Sequence, residues 1–63
     1  MTRVQFTSKE NPGGTPLLEA RMDRVPGLGE YVALPGRPPA VVSRVMWAWD
    51  EDGTALGAAV VLG

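Results

Sequence analysis

The chain has no cysteine and no histidine. Neither a thiolate nor an imidazole is on hand, which excludes a cysteine nucleophile, a histidine general base, a Ser-His-Asp arrangement and an ordinary zinc site. Disulfide staples are excluded with them. Aromatic residues are scarce: Phe6, Tyr31, Trp47 and Trp49 make up 6% of the composition. No apolar run approaches the ~20 residues needed to span a bilayer, and the opening stretch MTRVQFTSKE lacks the apolar segment of a signal peptide. These absences predict a soluble, cytoplasmic chain that does not enter a membrane. An excess of one charge is missing too, with six basic residues against seven acidic ones and a net charge of −1. The chain as a whole therefore exerts no pull on phosphates or anionic lipid.

At 63 residues the chain is a single domain over its whole length, and a domain of this size buries only about 60% of the surface it exposes when unfolded. Its core is marginal. With no disulfide or metal site to reinforce it, tight β-packing or oligomerisation is left as the stabiliser. The same shortness bears on catalysis. Paired carboxylates would have to come from Glu19, Asp23, Glu30 or the Asp50-Glu51-Asp52 cluster, and so small a body lacks the deep pocket that raises a carboxyl pKa. No catalytic residue, no cofactor and no metal ligand is expected, and the chain is read as a non-enzyme.

What the sequence does contain is punctuation. Eight glycines and six prolines cut it into short apolar pieces separated by turn signals at ~8 to 12 residue spacing, the pattern of a small all-β barrel or sandwich. Five strands are predicted. The first runs from Thr2 to Thr7, with Val4 and Phe6 on one face and Arg3 and Gln5 on the other. A loop at Asn11-Pro12 and Gly13-Gly14 follows. The second strand spans Pro16 to Met22; its LLEARM is rich in helix formers, but so short a helix is unstable unaided, so strand is preferred over helical turn.

DRVPGLGE forms the next loop and Glu30 to Leu34 the third strand. Pro35-Gly36 fits the two central positions of a type II turn. The fourth strand, Ala40 to Asp50, is the longest. Its odd positions (Val41, Ser43, Val45, Trp47, Trp49) hold more apolar volume and are turned inward, with a bulge near Ser43-Arg44 as the device that would exchange the faces beyond it. Asp52-Gly53 signals a hairpin, and the fifth strand runs from Ala55 to Leu62. The expected fold is all-β: a five-stranded SH3-like barrel or a strongly bent antiparallel sheet.

Trp47 and Trp49, two apart in a strand, point to the same side. A small barrel has room for one indole at its centre, so Trp47 is expected in the core and Trp49 over an open end, where an exposed tryptophan serves as an interface anchor. Met46 and Val42 on the opposite face, with Val61 across from them, form a second apolar strip. An exposed strip of this kind marks an interface, and self-association is its most economical use. Coverage by the first strand or by LLEARM is the alternative.

DEDG resembles the opening of a calcium loop, but the closing glutamate is absent and a solvated turn is expected. PGLGE lacks the spacing of a phosphate-binding loop and no helix follows it. Arg21, Arg24, Arg37 and Arg44 would serve nucleic-acid binding only if they converged beside Tyr31 or Trp49, the available stacking platforms.

The arrangement V-P-x-x-G-E-x-V-x-L, a short turn, V-V-x-x-V-x-W-x-W-D and a closing V-x-L strand runs from Val25 to Leu62. Its positions are Val25, Pro26, Gly29, Glu30, Val32, Leu34, Val41, Val42, Val45, Trp47, Trp49, Asp50, Val60 and Leu62. This pattern resembles the short uncharacterised proteins of actinobacterial phages and prophages, which are similar to small SH3-like barrels. PGRPP departs from the simple Asp-Gly or Asn-Gly turn of that pattern.

The resemblance implies a phage-encoded accessory protein in the host cytoplasm. Together with the exposed strip it implies a non-catalytic protein-interaction module for a host or phage protein, self-associating into a homo-oligomer, with Val42, Arg44, Met46 and Trp49 as the partner-binding residues. The alternatives are a nucleic-acid-binding small barrel and a minor virion structural protein. An edge strand would also suit capture of an extended peptide, which the acidic turn would favour being basic.

Overall fold

A computed structural model describes residues 1–11 and 14–63. The described residues form five strands and no helix: β1 (Thr2–Ser8), β2 (Leu18–Met22), β3 (Tyr31–Val32), β4 (Ala40–Trp49) and β5 (Ala55–Leu62). They make one sheet in the order β2-β1-β5-β4-β3, curled through 263° into a half-barrel. The expected five strands are all present, LEARM of the LLEARM stretch among them as β2, although the third is confined to Tyr31–Val32. The turn expected at Pro12 and Gly13 lies outside the described residues. The sheet is mixed: β1 pairs with β5 in parallel and every other pair is antiparallel.

The sequence explains why β5 sits in the middle. Its ALGAAVVL has no charged residue, and Ala58, Val60, Val61 and Leu62 are buried. A strand flanked on both sides, and apolar on both faces, suits an interior position. β1 joins it through alternation: Val4 and Phe6 are opposite Ala58 and Val60 and are buried, whereas Arg3 and Gln5 lie on the outer face. The core cluster is Val4, Phe6, Leu34, Val42, Val60 and Leu62, with Leu17, Ala20, Met22, Val25, Val32, Ala40 and Val45 packed around it. On the outer face Thr7 is also buried, and its hydroxyl has no hydrogen-bond partner among the described residues.

β4 changes faces partway along. The register runs Val42↔Leu62 and then Arg44↔Val61, so Ser43 is the extra residue of a bulge, as the sequence suggested. Its hydroxyl donates to the Val61 carbonyl at 3.1 Å, which occupies an acceptor that the broken ladder would otherwise leave weakly paired. Before the bulge Val42 points inward; after it Val45 and Trp47 do. Two expectations are corrected by this. Val42 is 2% exposed and belongs to the core, so it is no part of an exposed strip. Val61 is buried as well, and of the predicted strip only Met46 faces solvent.

The turns follow local chemistry. Arg37 N donates to the Leu34 carbonyl at 3.1 Å across Pro35-Gly36, with Gly36 at φ 74°, the type II geometry expected of that dipeptide. The loop before β3 is held by Glu30, whose Oε1 accepts from Gly27 N at 2.6 Å and from Arg24 Nη2 at 2.8 Å. The Gly27 amide and then the Arg24 guanidinium hold the Glu30 carboxyl below its usual range. The Glu30 carbonyl accepts from Val42 N at 2.8 Å, so the same residue ties this loop to β4. At the other edge, Arg3 Nε donates to Glu19 Oε1 at 2.7 Å and Gln5 Nε2 to Glu19 Oε2 at 3.2 Å.

At Gly57 the parallel pairing leaves no room for a side chain. A Cβ there would lie 2.7 Å from the Arg3 carbonyl oxygen, a backbone atom that cannot swing aside. Gly57→Ala is expected to destabilise the fold by roughly 1–3 kcal/mol through strain in the β1–β5 pair, read as a lower urea midpoint; an unchanged midpoint would show that β1 gives way freely. Because the folded Glu30 pKa is depressed, its stabilising contribution is present above the ordinary glutamate range and is lost as pH falls through the folded value. Wild type should therefore exceed Glu30→Gln in stability at neutral pH. Denaturant titrations repeated at decreasing pH should show that advantage fading.

Candidate interaction surface on the β4–β5 hairpin

The half-barrel is elongated, with principal extents of 38 × 23 × 19 Å, and its two longest strands are β4 and β5. Their far ends reach past the core. β3 pairs only with Ala40 and Val41, so among the described residues no strand lies beside the distal half of β4 on the edge away from β5. This accounts for a further correction: Trp47 is 45% exposed and does not fill the barrel. It lies on the core side, opposite Ala58, but the wall that would enclose it is missing because β3 is too short. Trp49 is 61% exposed, at the open end where the sequence put it. The two indoles are adjacent, centroids 6.2 Å apart and tilted by 33°.

The hairpin closes on a three-residue loop. Gly53 N donates to the Asp50 carbonyl at 3.0 Å, Asp50 N donates to the Thr54 carbonyl at 2.8 Å, and Gly53 has φ 88°. A type I turn followed by a left-handed glycine gives this geometry. Asp50 Oδ1 accepts from Glu51 N at 2.7 Å and Asp52 Oδ1 from Thr54 N at 2.8 Å. The Thr54 side chain and then its amide hold the Asp52 carboxyl below its usual range. The acidic residues thus serve the turn, and no group of three His, Cys, Asp or Glu among the described residues is placed to hold a metal ion.

A second bulge lies between Ala48↔Gly57 and Trp49↔Ala55, where Leu56 is the extra residue. Leu56 is 58% exposed and was not singled out from the sequence, because regular alternation would align it with Ala58 and Val60 on the buried face. Beside it runs an open groove of roughly 280 Å3, lined by Arg3, Gln5, Met46, Trp47, Ala48, Leu56, Gly57, Ala58 and Ala59. The small residues of β5 form its floor, with Met46 on β4 and Arg3 and Gln5 on β1 rising on either side.

Of the predicted partner-binding residues, Arg44, Met46 and Trp49 are therefore exposed on this hairpin and Val42 is not. The arginines weighed for nucleic acid are scattered: Arg21 on β2, Arg24 paired with Glu30, Arg37 between β3 and β4, and Arg44 on β4. No protein-family model, curated protein or solved structure matches the chain.

Single-tryptophan variants Trp47→Phe and Trp49→Phe, studied in dilute solution, should each show solvent-like emission and ready quenching by acrylamide. A blue-shifted, protected signal from Trp47 would place that ring in a closed core instead.

Proposed function

We propose that this protein is a non-catalytic protein-interaction module whose contact element is the distal β4–β5 hairpin. One observation carries the reading: Met46, Trp47, Trp49 and Leu56 are all exposed on a single hairpin that projects beyond the core. Clustered exposed apolar side chains on a small protein mark a binding surface, and tryptophan is the residue most enriched where binding energy concentrates. The groove beside Met46 adds a concave apolar floor, and Arg3 and Gln5 give it a polar rim, the anatomy of a protein–protein contact. The pattern from Val25 to Leu62 supports a source among the small SH3-like barrel proteins of actinobacterial phages, and hence a host or phage protein as the partner, met in the host cytoplasm.

The test is an affinity capture with the tagged protein from nuclease-treated actinobacterial lysate, beside a Met46→Glu, Trp49→Ala double variant. The expected result is one protein enriched by wild type, lost with the variant, and bound again when both partners are purified. No reproducible partner, or one retained equally by the variant, would overturn the reading. Retention on labelled DNA or RNA that falls steeply with salt would replace it with the nucleic-acid role.

A further inference from the structure

The distal part of β4 has a side with no partner strand. β5 covers one edge of Arg44–Trp49, and among the described residues the other edge is unpaired, because β3 stops at the Ala40–Val41 end. Asp50 N is bonded toward β5, at the Thr54 carbonyl. Successive residues of a strand aim their backbone groups to opposite edges, so the N–H and C=O of Trp49, Trp47 and Val45 point outward. The proximal half agrees: Val42 N and O bond outward to Glu30 and Gly29, and the Ser43 bulge shifts the parity between the two halves.

Exposed sheet edges recruit other strands, and proteins protect them with charge, proline or brevity. β2, at the opposite side of the sheet, has five residues and carries Glu19 and Arg21. β4 carries no charge from Val45 to Trp49, a five-residue apolar run. Charges stand only at the two ends of that run, and they have opposite signs: Arg44 before it and Asp50 after it. Arg44 makes no ion pair among the described residues.

We propose that the occupant of this edge is a second copy of the chain, added antiparallel about a two-fold axis at Trp47. The inference rests on the interaction-module reading of the same hairpin and names one partner for its edge. A two-fold axis perpendicular to the sheet keeps the faces aligned, so directly opposite residues must have the same parity. With the axis at Trp47, Trp47 meets its own copy, Val45 meets Trp49, Met46 meets Ala48, and Arg44 meets Asp50. The last pair forms twice, once at each end, and brings opposite charges together across the new strand pair. Val45, Trp47 and Trp49 each donate one and accept one backbone hydrogen bond. Their side chains line one face of the joint, which brings the tryptophans of both copies together. Moving the axis by one residue to Met46 would oppose Arg44 to Ala48 and leave the charges unmatched. An isologous contact of this kind closes as a dimer.

The test is sedimentation of the full chain across a concentration series, with Arg44→Asp, Asp50→Arg and the double swap Arg44→Asp, Asp50→Arg. The expected result is a wild-type dimer, a dissociation constant at least tenfold weaker for each single variant, and recovery in the double swap. A wild type that stays monomeric through several hundred micromolar would overturn the proposal, as would a dimer indifferent to both single reversals. Should circular dichroism show that a variant is unfolded, isotope-filtered NOE spectra of mixed labelled and unlabelled wild type decide the register. Contacts between Val45 and Trp49 of different copies support it, and a dimer without them overturns it. A monomer that still captures its partner protein sinks the dimer alone; a dimer that captures nothing sinks only the partner reading.

Discussion

β5 lies between β1 and β4, and the parallel β1–β5 pair is the constraint on which the rest of the structure depends. Parallel strands cannot be joined by a tight turn, so the chain must leave β1, build β2 and β3 along the way, and return through β4 before β5 can enter between its neighbours. The buried residues of β5 touch both halves of the sheet, and without them β1–β2 and β3–β4 would be two separate hairpins. Four of the six core residues, Val4, Phe6, Val60 and Leu62, lie on this parallel pair. Gly57 shows how close the fit is, since there the backbone of Arg3 takes the space of a side chain.

Two bulges then decide what this sheet presents to its surroundings. Ser43 reverses the faces of β4, so that Val42 closes the core at one end while Met46 emerges at the other. The Leu56 bulge frees a leucine from the inner face of β5. Together with a β3 of two residues, they give the half-barrel two unlike ends: one packed beneath Leu34 and Leu62, the other drawn out into a hairpin bearing both tryptophans. A core so limited in size cannot enclose every large side chain, and the indoles are the ones left outside.

Much of this was legible in the residues. Pro35-Gly36, Asp52-Gly53 and the alternation of Val4 and Phe6 encode their turns and strand through local sterics and period, which need no knowledge of distant partners. Even the Ser43 bulge was signalled, because neither face of β4 is apolar throughout. Trp47 was misplaced for a different reason. Whether a large apolar side chain is covered depends on what stands across from it, and a two-residue β3 leaves that position empty. Leu56 was missed because its bulge arises from the pairing of β5 with β4, which neither strand encodes alone. Arg44 and Met46 are legible by pattern, whereas regular alternation sets Val42 beside them and the Ser43 bulge turns it into the core.

The all-β class, the five strands, their turns and the lack of thiol and imidazole chemistry follow from the amino-acid order, since each is set by residue type and nearest neighbours. The parallel pairing, the central place of β5, the open edge of β4 and the exposure of both tryptophans do not. They depend on which strands meet across dozens of residues, and that is determined by how thirteen buried or half-buried side chains of Val4's cluster pack together at once.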